Sequence, residues 1–258
     1  MARSVGERGE VIKEDNMPRW VMVIDLDKCV ACQGCSIACR FENNTPVVKA
    51  GEAVKGRAVR WNDVFPLPVN PTEETGDYPN VKTRYLTRPC MHCDNPPCVK
   101  VCPVQATFKN EEGLVQQNYA RCIGCRFCTV ACPYGVRYFN WYAPEWEGDL
   151  AGYLNPDRIE GGGVLEGPAV RPKGVVEKCT FCIHRLQKAR ARAQAEGRPF
   201  RADEYVPACV QTCTGKARFF GDLDDPNSTV SLLAKSPRAF RLLEEVGTHP
   251  KVIYLREG

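Results

Sequence analysis

The residues with the clearest chemistry are cysteines at fixed intervals. Cys122, Cys125, Cys128 and Cys132 are separated by two, two and three residues, and Pro133 follows. A C-x2-C-x2-C-x3-C-P run is the spacing that ligates iron–sulfur clusters. Thiolates are soft anionic donors suited to an iron–sulfide core. So tight a loop can offer three sulfurs to three corners of one cube. The fourth sulfur faces away and serves a neighbouring cluster. One such run therefore implies a second that reciprocates.

Three further groups are present. Cys29, Cys32, Cys35 and Cys39 repeat the spacing, with Arg40 where the proline would stand. Cys90, Cys93, Cys98 and Cys102 have a longer middle gap, because Asn95-Pro96-Pro97 are inserted, and Pro103 follows. Cys179 and Cys182 open a last group that closes with Cys209 and Cys213. The 16 cysteines fall into four groups of four, with none left over.

Crossing fourth cysteines require the groups to pair. The second and third are 19 residues apart and pair most directly, which leaves the first and fourth for each other. The expected ligand sets are Cys29, Cys32, Cys35 and Cys213 (set A); Cys39, Cys179, Cys182 and Cys209 (set B); Cys90, Cys93, Cys98 and Cys132 (set C); and Cys102, Cys122, Cys125 and Cys128 (set D). Every set has four sulfurs, so the expected cofactors are four [4Fe–4S] clusters, with iron bound by the same 16 cysteines. Zinc also uses C-x2-C pairs, but it draws on two separated pairs and has no use for three sulfurs on one loop. Disulfides belong mostly to small secreted domains, and these cysteines are grouped for metal.

The elements that must carry these loops are short. Trp20–Asp25 reads as a strand entering the first group. Residues 105–109 and 114–117 read as strands around a Glu112-Gly113 turn, and 136–141 and 219–221 as strands after the third and fourth groups. The recurring unit is a cysteine quartet followed by a strand. Four units imply an α+β fold of two bacterial-ferredoxin-like modules related by pseudo-twofold symmetry. The outer module takes residues 19–40 with 176–230, and the inner module takes 84–141. Residues 41–83 and 142–175 lack any periodicity and read as long insertion loops, the first an ordered surface loop against another subunit. Residues 1–18 read as a polar arm. Residues 231–258 read as a C-terminal helix and extension, with Ser236-Pro237 opening a helix to Val246 and a last strand at 252–255.

Composition narrows the classes. The chain has 258 residues and a net charge of +4, which gives no support to nucleic-acid binding. No apolar run approaches a membrane span, and the N-terminal residues show neither an apolar signal region nor a twin arginine. The expectation is a water-soluble polypeptide whose membrane contact runs through a partner. No G-x-G-x-x-G or Walker fingerprint is present, and no residues read as catalytic. Of three histidines, His92 and His184 lie beside cysteines and read as satisfied or surface residues, with tuning of a cluster as the sharper alternative. The basic stretch 184–195 reads as a helix facing solvent or a subunit.

The segments VIDLDKCVACQGCSIAC, PCMHCDNPPCVKVCPVQAT, CIGCRFCTVACPYGVR, EKCTFCIHR and PACVQTCTGKARFFGDLDDPNS, spread from Met22 to Leu255, carry a family likeness. The chain resembles the four-cluster electron-transfer subunits of membrane-bound molybdopterin oxidoreductases, such as dimethyl sulfoxide, polysulfide and tetrathionate reductases. The resemblance implies a non-catalytic subunit relaying single electrons between a molybdenum or tungsten pterin catalytic subunit and a quinone-binding membrane anchor, in a sulfur-compound oxidoreductase. It implies that the outer module faces the catalytic subunit and the inner module the membrane. Some relatives carry tryptophan where Cys125 stands, so its presence implies a four-iron cluster in set D. The implied location is peripheral on the cell membrane through a partner, on the periplasmic face by co-export or on the cytoplasmic face. The alternative is a polyferredoxin-type subunit of a membrane hydrogenase or another respiratory complex.

Overall fold

The computed structural model describes residues 17–67, 84–145, 152–155 and 170–256. The polar arm and most of the second insertion lie outside these residues.

The first strand stands where β-branched and aromatic residues are buried on both faces. β1 (Trp20–Asp25) is buried throughout. It leads into the first cysteine loop and α1 (Gly34–Glu42). The first insertion holds α2 (Ala50–Val54) and β2 (Asn62–Pro66), and β2 pairs antiparallel with β3 (Tyr85–Pro89) just after it, in register from Asn62 opposite Pro89 to Pro66 opposite Tyr85. The second cysteine loop ends in α3 (Pro97–Lys100), with proline at the first turn, where its missing amide costs nothing.

A hairpin pairs β4 (Thr107–Lys109) with β5 (Val115–Gln117). α4 (Phe127–Ala131) carries Cys128, and β6 (Tyr138–Phe139) pairs with β7 (Val176–Glu177). α5 (Ile183–Ala195), α6 (Ala208–Gln211) and β8 (Arg218–Asp222) complete the fourth group. The chain closes with α7 (Thr229–Ala234), β9 (Ala239–Phe240) and β10 (Val252–Leu255).

The fold is mixed α and β with small sheets. The largest has the order β8-β1-β10-β9. β1 precedes Cys29 and β8 follows Cys213, and their antiparallel pairing brings the first and fourth cysteine groups together. β4 follows Cys102 and β5 precedes Cys122, so the hairpin does the same for the second and third groups. α1 packs on α6, and α3 on α4. β10 lies parallel to β1, with Met22 opposite Val252, so the C-terminal segment is a central strand of the large sheet. Trp20 anchors the core, stacked on Phe220 at 5.5 Å and edge-on to Tyr205 at 4.9 Å.

Three expectations need correction. No helix runs from Ser236 to Val246. A short strand and a 3-10 turn occupy that stretch, because Phe240 pairs with Tyr254 and Arg238 is held by Asp25 and Asp27. The first insertion is not irregular throughout, and Trp61 is buried in the core at 2% exposure rather than presented to a partner. The strand expected at 136–141 shrinks to Tyr138–Phe139 and pairs across to the segment before Cys179.

Candidate iron–sulfur sites

All four cysteine loops share one backbone device. The residue before the second cysteine has a positive φ in each: Ala31 at 53°, His92 at 44°, Gly124 at 70° and Phe181 at 55°. This conformation costs a non-glycine residue about 1–2 kcal/mol, so the surrounding structure must hold it. The turn aims that residue's amide at the first sulfur, as Phe181 N donates to Cys179 Sγ at 3.4 Å. A second positive φ recurs three residues after the fourth cysteine, at Gln105, Gly135 and Lys216. There the chain wraps amides back onto the crossing sulfurs. Thr107 N donates to Cys102 Sγ at 3.4 Å, and Ala217 N to Cys213 Sγ at 3.2 Å.

The loops bring the cysteines together in fours. Cys29, Cys32, Cys35 and Cys213 wall one cavity. Cys90, Cys93, Cys98 and Cys132 wall a second, and Cys102, Cys122, Cys125 and Cys128 a third. Cys39, Cys179, Cys182 and Cys209 are buried within electrostatic reach of one another, and Asn43 Nδ2 reaches both Cys39 Sγ at 3.6 Å and Cys182 Sγ at 3.7 Å. Each foursome includes one sulfur from a distant group.

The donor chemistry fits a cluster. The sulfurs surround a space rather than converge on a point: among the described residues, no three His, Cys, Asp or Glu side chains could hold a single metal ion. Burial pushes the Cys93 thiol up to about 12, with the nearby Cys90 adding to it, and burial with Cys209 does the same for Cys182. Burial and adjacent sulfurs also push Cys39 and Cys179 upward. Thiols so placed become thiolates when a cationic iron core neutralises them.

Neighbouring foursomes adjoin in succession, Cys35 of set A near Cys209 of set B, Cys179 of set B near Cys90 of set C, and Cys98 of set C near Cys128 of set D, which gives the order A, B, C, D. Cys32 in set A and Cys125 in set D are exposed, whereas all four sulfurs of set B are buried. The succession is therefore sealed in its middle and reaches the surface at both ends. Around set D, Ile123, Phe127 and Val130 are exposed beside Arg121 and Arg126.

Sequence reading missed the polar residues that serve the sulfurs. Asn62, on β2 of the first insertion, donates from Nδ2 to Cys35 Sγ at 3.1 Å. Its Oδ1 accepts from Arg218 Nη2 at 2.6 Å. Arg137 is buried beside sets C and D and donates to Thr107 Oγ1 at 2.8 Å and Gln117 Oε1 at 2.6 Å. Lys178 Nζ donates to Cys179 O at 2.7 Å and to Val115 O, where sets B and C meet. A buried arginine five residues past a crossing cysteine was the available signal, visible as CPYGVR and CTGKAR.

His92 is fully buried, accepts from Val115 N at Nδ1 (3.2 Å) and meets Cys179 O through Nε2 at 3.0 Å. With Nδ1 accepting, Nε2 carries the proton and donates. Burial, with Lys178 and Lys251 nearby, holds His92 well below the usual histidine range, so it stays neutral and ties the second cysteine loop to the fourth. His184 meets Glu42 at 2.6 Å. Both ring nitrogens of His92 are therefore bonded, and His184 is held through Nε2. In the basic helix, Arg185 binds Glu42 at 2.6 Å and Arg190 binds Glu112 at 2.5 Å, so these two charges turn inward.

A succession of four-thiol sites is the arrangement of an iron–sulfur electron-transfer protein. Residues 81–148 match the 4Fe-4S dicluster domain family. The menaquinone reductase iron-sulfur cluster-binding subunit of Nitratidesulfovibrio vulgaris is 46% identical over 242 residues, 92% of this chain and 88% of the relative. A selenate reductase subunit of Mesobacillus selenatarsenatis is 41% identical, covering 93% of this chain and 73% of the relative. A tetrathionate reductase subunit of Salmonella typhimurium is 35% identical, covering 92% and 72%. The chain belongs to the iron–sulfur electron-transfer subunits of the molybdopterin oxidoreductases. These relatives favour that reading over a hydrogenase polyferredoxin. No helix among the described residues is long and apolar enough to cross a membrane.

Proposed function

We propose that this chain carries four [4Fe–4S] clusters in sets A to D and relays single electrons between a molybdenum or tungsten pterin catalytic subunit and a quinone-binding membrane anchor. When bound, a cubane in such a site takes up and gives back one electron at a time. The chain's own work is to hold four sulfur sites in file, exclude water from the middle ones and open the terminal ones to partners. The observation that carries this reading is the succession itself, buried at set B and exposed at Cys32 and Cys125. Exposed apolar side chains stand at both ends, Val30 and Ile37 by set A and Ile123, Phe127 and Val130 by set D, so both ends suit docking, with the set D end assigned to the anchor and the set A end to the catalytic subunit. The tetrathionate reductase relative supports a sulfur-compound oxidoreductase. The complex then lies on the periplasmic face if the chain is exported with its partner, or on the cytoplasmic face if it is not.

Anaerobic purification of the complex tests the reading. About 16 irons and 16 acid-labile sulfides per chain, with molybdenum or tungsten in a co-purifying subunit, are expected. About eight irons in a chain shown not to have lost clusters would overturn the four-cluster assignment, and nickel would overturn the partner.

A further inference from the structure

Arg218 and Arg137 occupy matching places. Arg218 stands five residues after Cys213, and Arg137 five after Cys132, each the crossing cysteine of its group. Both are buried, at 4% and 6% exposure. Their oxygen and thioether partners are neutral, Asn62 Oδ1 and Met22 Sδ for Arg218, Thr107 Oγ1 and Gln117 Oε1 for Arg137, and each also reaches a cysteine sulfur, Cys209 for Arg218 and Cys128 for Arg137. Nε and Nη1 of Arg137 are buried with no hydrogen-bond partner among the described residues.

A guanidinium in a protein interior without an anion beside it is strongly unfavourable, so an anion must offset it. The groups in place to do so are sulfurs. Arg218 lines the set A cavity and faces Cys209 of set B together with Cys35 and Cys213 of set A. Arg137 lines the set C cavity and faces Cys98 and Cys90 of set C together with Cys128 of set D. Each arginine therefore sits at a junction, within reach of two neighbouring foursomes. Lys178 fills the remaining junction, between sets B and C.

We propose that Arg218 and Arg137 are shared counter-charges of the relay, each a permanent buried cation that raises the reduction potentials of the two clusters flanking it. The inference rests on the four-set reading above. Reduction adds negative charge, and a cation at short range in a poorly screened interior favours the reduced form. A guanidinium cannot discharge by losing its proton, so the effect does not vary with pH. One cation between two sites acts on both, raising both potentials together and leaving the gap between them little changed. These are positioning residues for charge, since neither is a ligand.

The test is a redox titration, followed by electron paramagnetic resonance, of the iron-loaded full chain and its R218Q, R218K, R137Q and R137K variants. Expected are lower midpoint potentials for two clusters in R218Q and for the other two in R137Q, with both lysine variants near wild type. If a glutamine variant loses iron while its lysine counterpart keeps it, charge is what the site needs and the proposal stands. Glutamine variants that keep full iron and unmoved potentials overturn it. Loss of iron in both glutamine and lysine variants also overturns it, because shape rather than charge would then be required. A wild-type iron content well short of about 16 would instead strike the four-set reading, so the two failures are separable.

Discussion

Asn62 Nδ2 donates to Cys35 Sγ across 3.1 Å, which ties a strand of the first insertion to a sulfur of set A. Hydrogen bonds to sulfur stabilise the more negative, reduced state of an iron–sulfur centre. A bond worth about 1 kcal/mol corresponds to roughly 40 mV for a one-electron couple. Asn62→Leu is therefore expected to lower one midpoint potential by about that amount while iron content stays at its wild-type value. The same titration that follows the arginine variants reads it out. An unchanged set of potentials would show that the amide has no influence on the relay.

The crossing of the fourth cysteines makes a sharper prediction. Cys132 follows Cys122, Cys125 and Cys128 in sequence, yet it lines the cavity of Cys90, Cys93 and Cys98. Cys132→Ser is expected to damage the set C cluster and to leave set D spectroscopically intact. Cys102→Ser should do the reverse, because Cys102 lines the cavity of Cys122, Cys125 and Cys128. Set D has an exposed sulfur, so its signal should respond to added quinone analogue in the assembled complex, and set C's should not do so first. Double-variant iron analysis completes the check: Cys132→Ser combined with Cys90→Ser should lose about four irons, not about eight.

Much of this was legible in the chain, for a physical reason. Cluster ligation demands one residue type at short fixed intervals, so all 16 cysteines announce themselves. β1, β4, β5 and β8 were readable as short stretches flanking the cysteine groups, and β10 as an apolar run of its own. What hid was whatever depends on distant partners. Ala31, His92 and Phe181 share a left-handed backbone with Gly124, but only glycine advertises it. Asn62 looks like any loop asparagine until β2 brings it to Cys35. The stretch after Ser236 carries good helix-start chemistry. It still forms no helix, because pairing with β10 and the Arg238 ties to Asp25 and Asp27 are longer-range and win.

Glu42 gathers Arg185 and the buried His184 at the end of α1. Burial pushes its carboxyl upward, but the bonds from Arg185 and His184 override this and hold it at about 2. Its folded value lies below the ordinary 4.5, so the stability it contributes is present above that pH and lost as pH falls toward 2. Glu42→Gln is expected to cost about 1–3 kcal/mol near neutral pH, since it strands two partly buried donors. The gap from wild type should close as the solution is acidified below pH 4.5. Anaerobic urea midpoints across that range decide it, and a gap that widened on acidification would reverse the sign argued here.

Three glycines separate backbone strain from steric overlap in the cysteine loops. Gly124 has φ +70°, and a Cβ there would run into the carbonyl oxygen of Gly174, with Phe139 Cε2 at 3.1 Å. Gly135 has φ +62° with nothing within 4 Å of its Cβ position. Gly215 has no unusual φ, but its Cβ would meet the carbonyl oxygen of Lys28. Gly135→Ala should therefore cost about 1 kcal/mol in conformational strain and keep all its iron. Gly215→Ala carries the overlap alone, against backbone that cannot move without shifting Cys29. Gly124→Ala carries both burdens, and Gly174 cannot easily retreat because its amide is bonded to Asn140 O at 2.8 Å. The expected order of iron loss is Gly124→Ala, then Gly215→Ala, then Gly135→Ala, with the first losing about four irons from set D. Equal loss in Gly124→Ala and Gly135→Ala would mean that the left-handed turn, and not the close approach to Gly174, governs the loop.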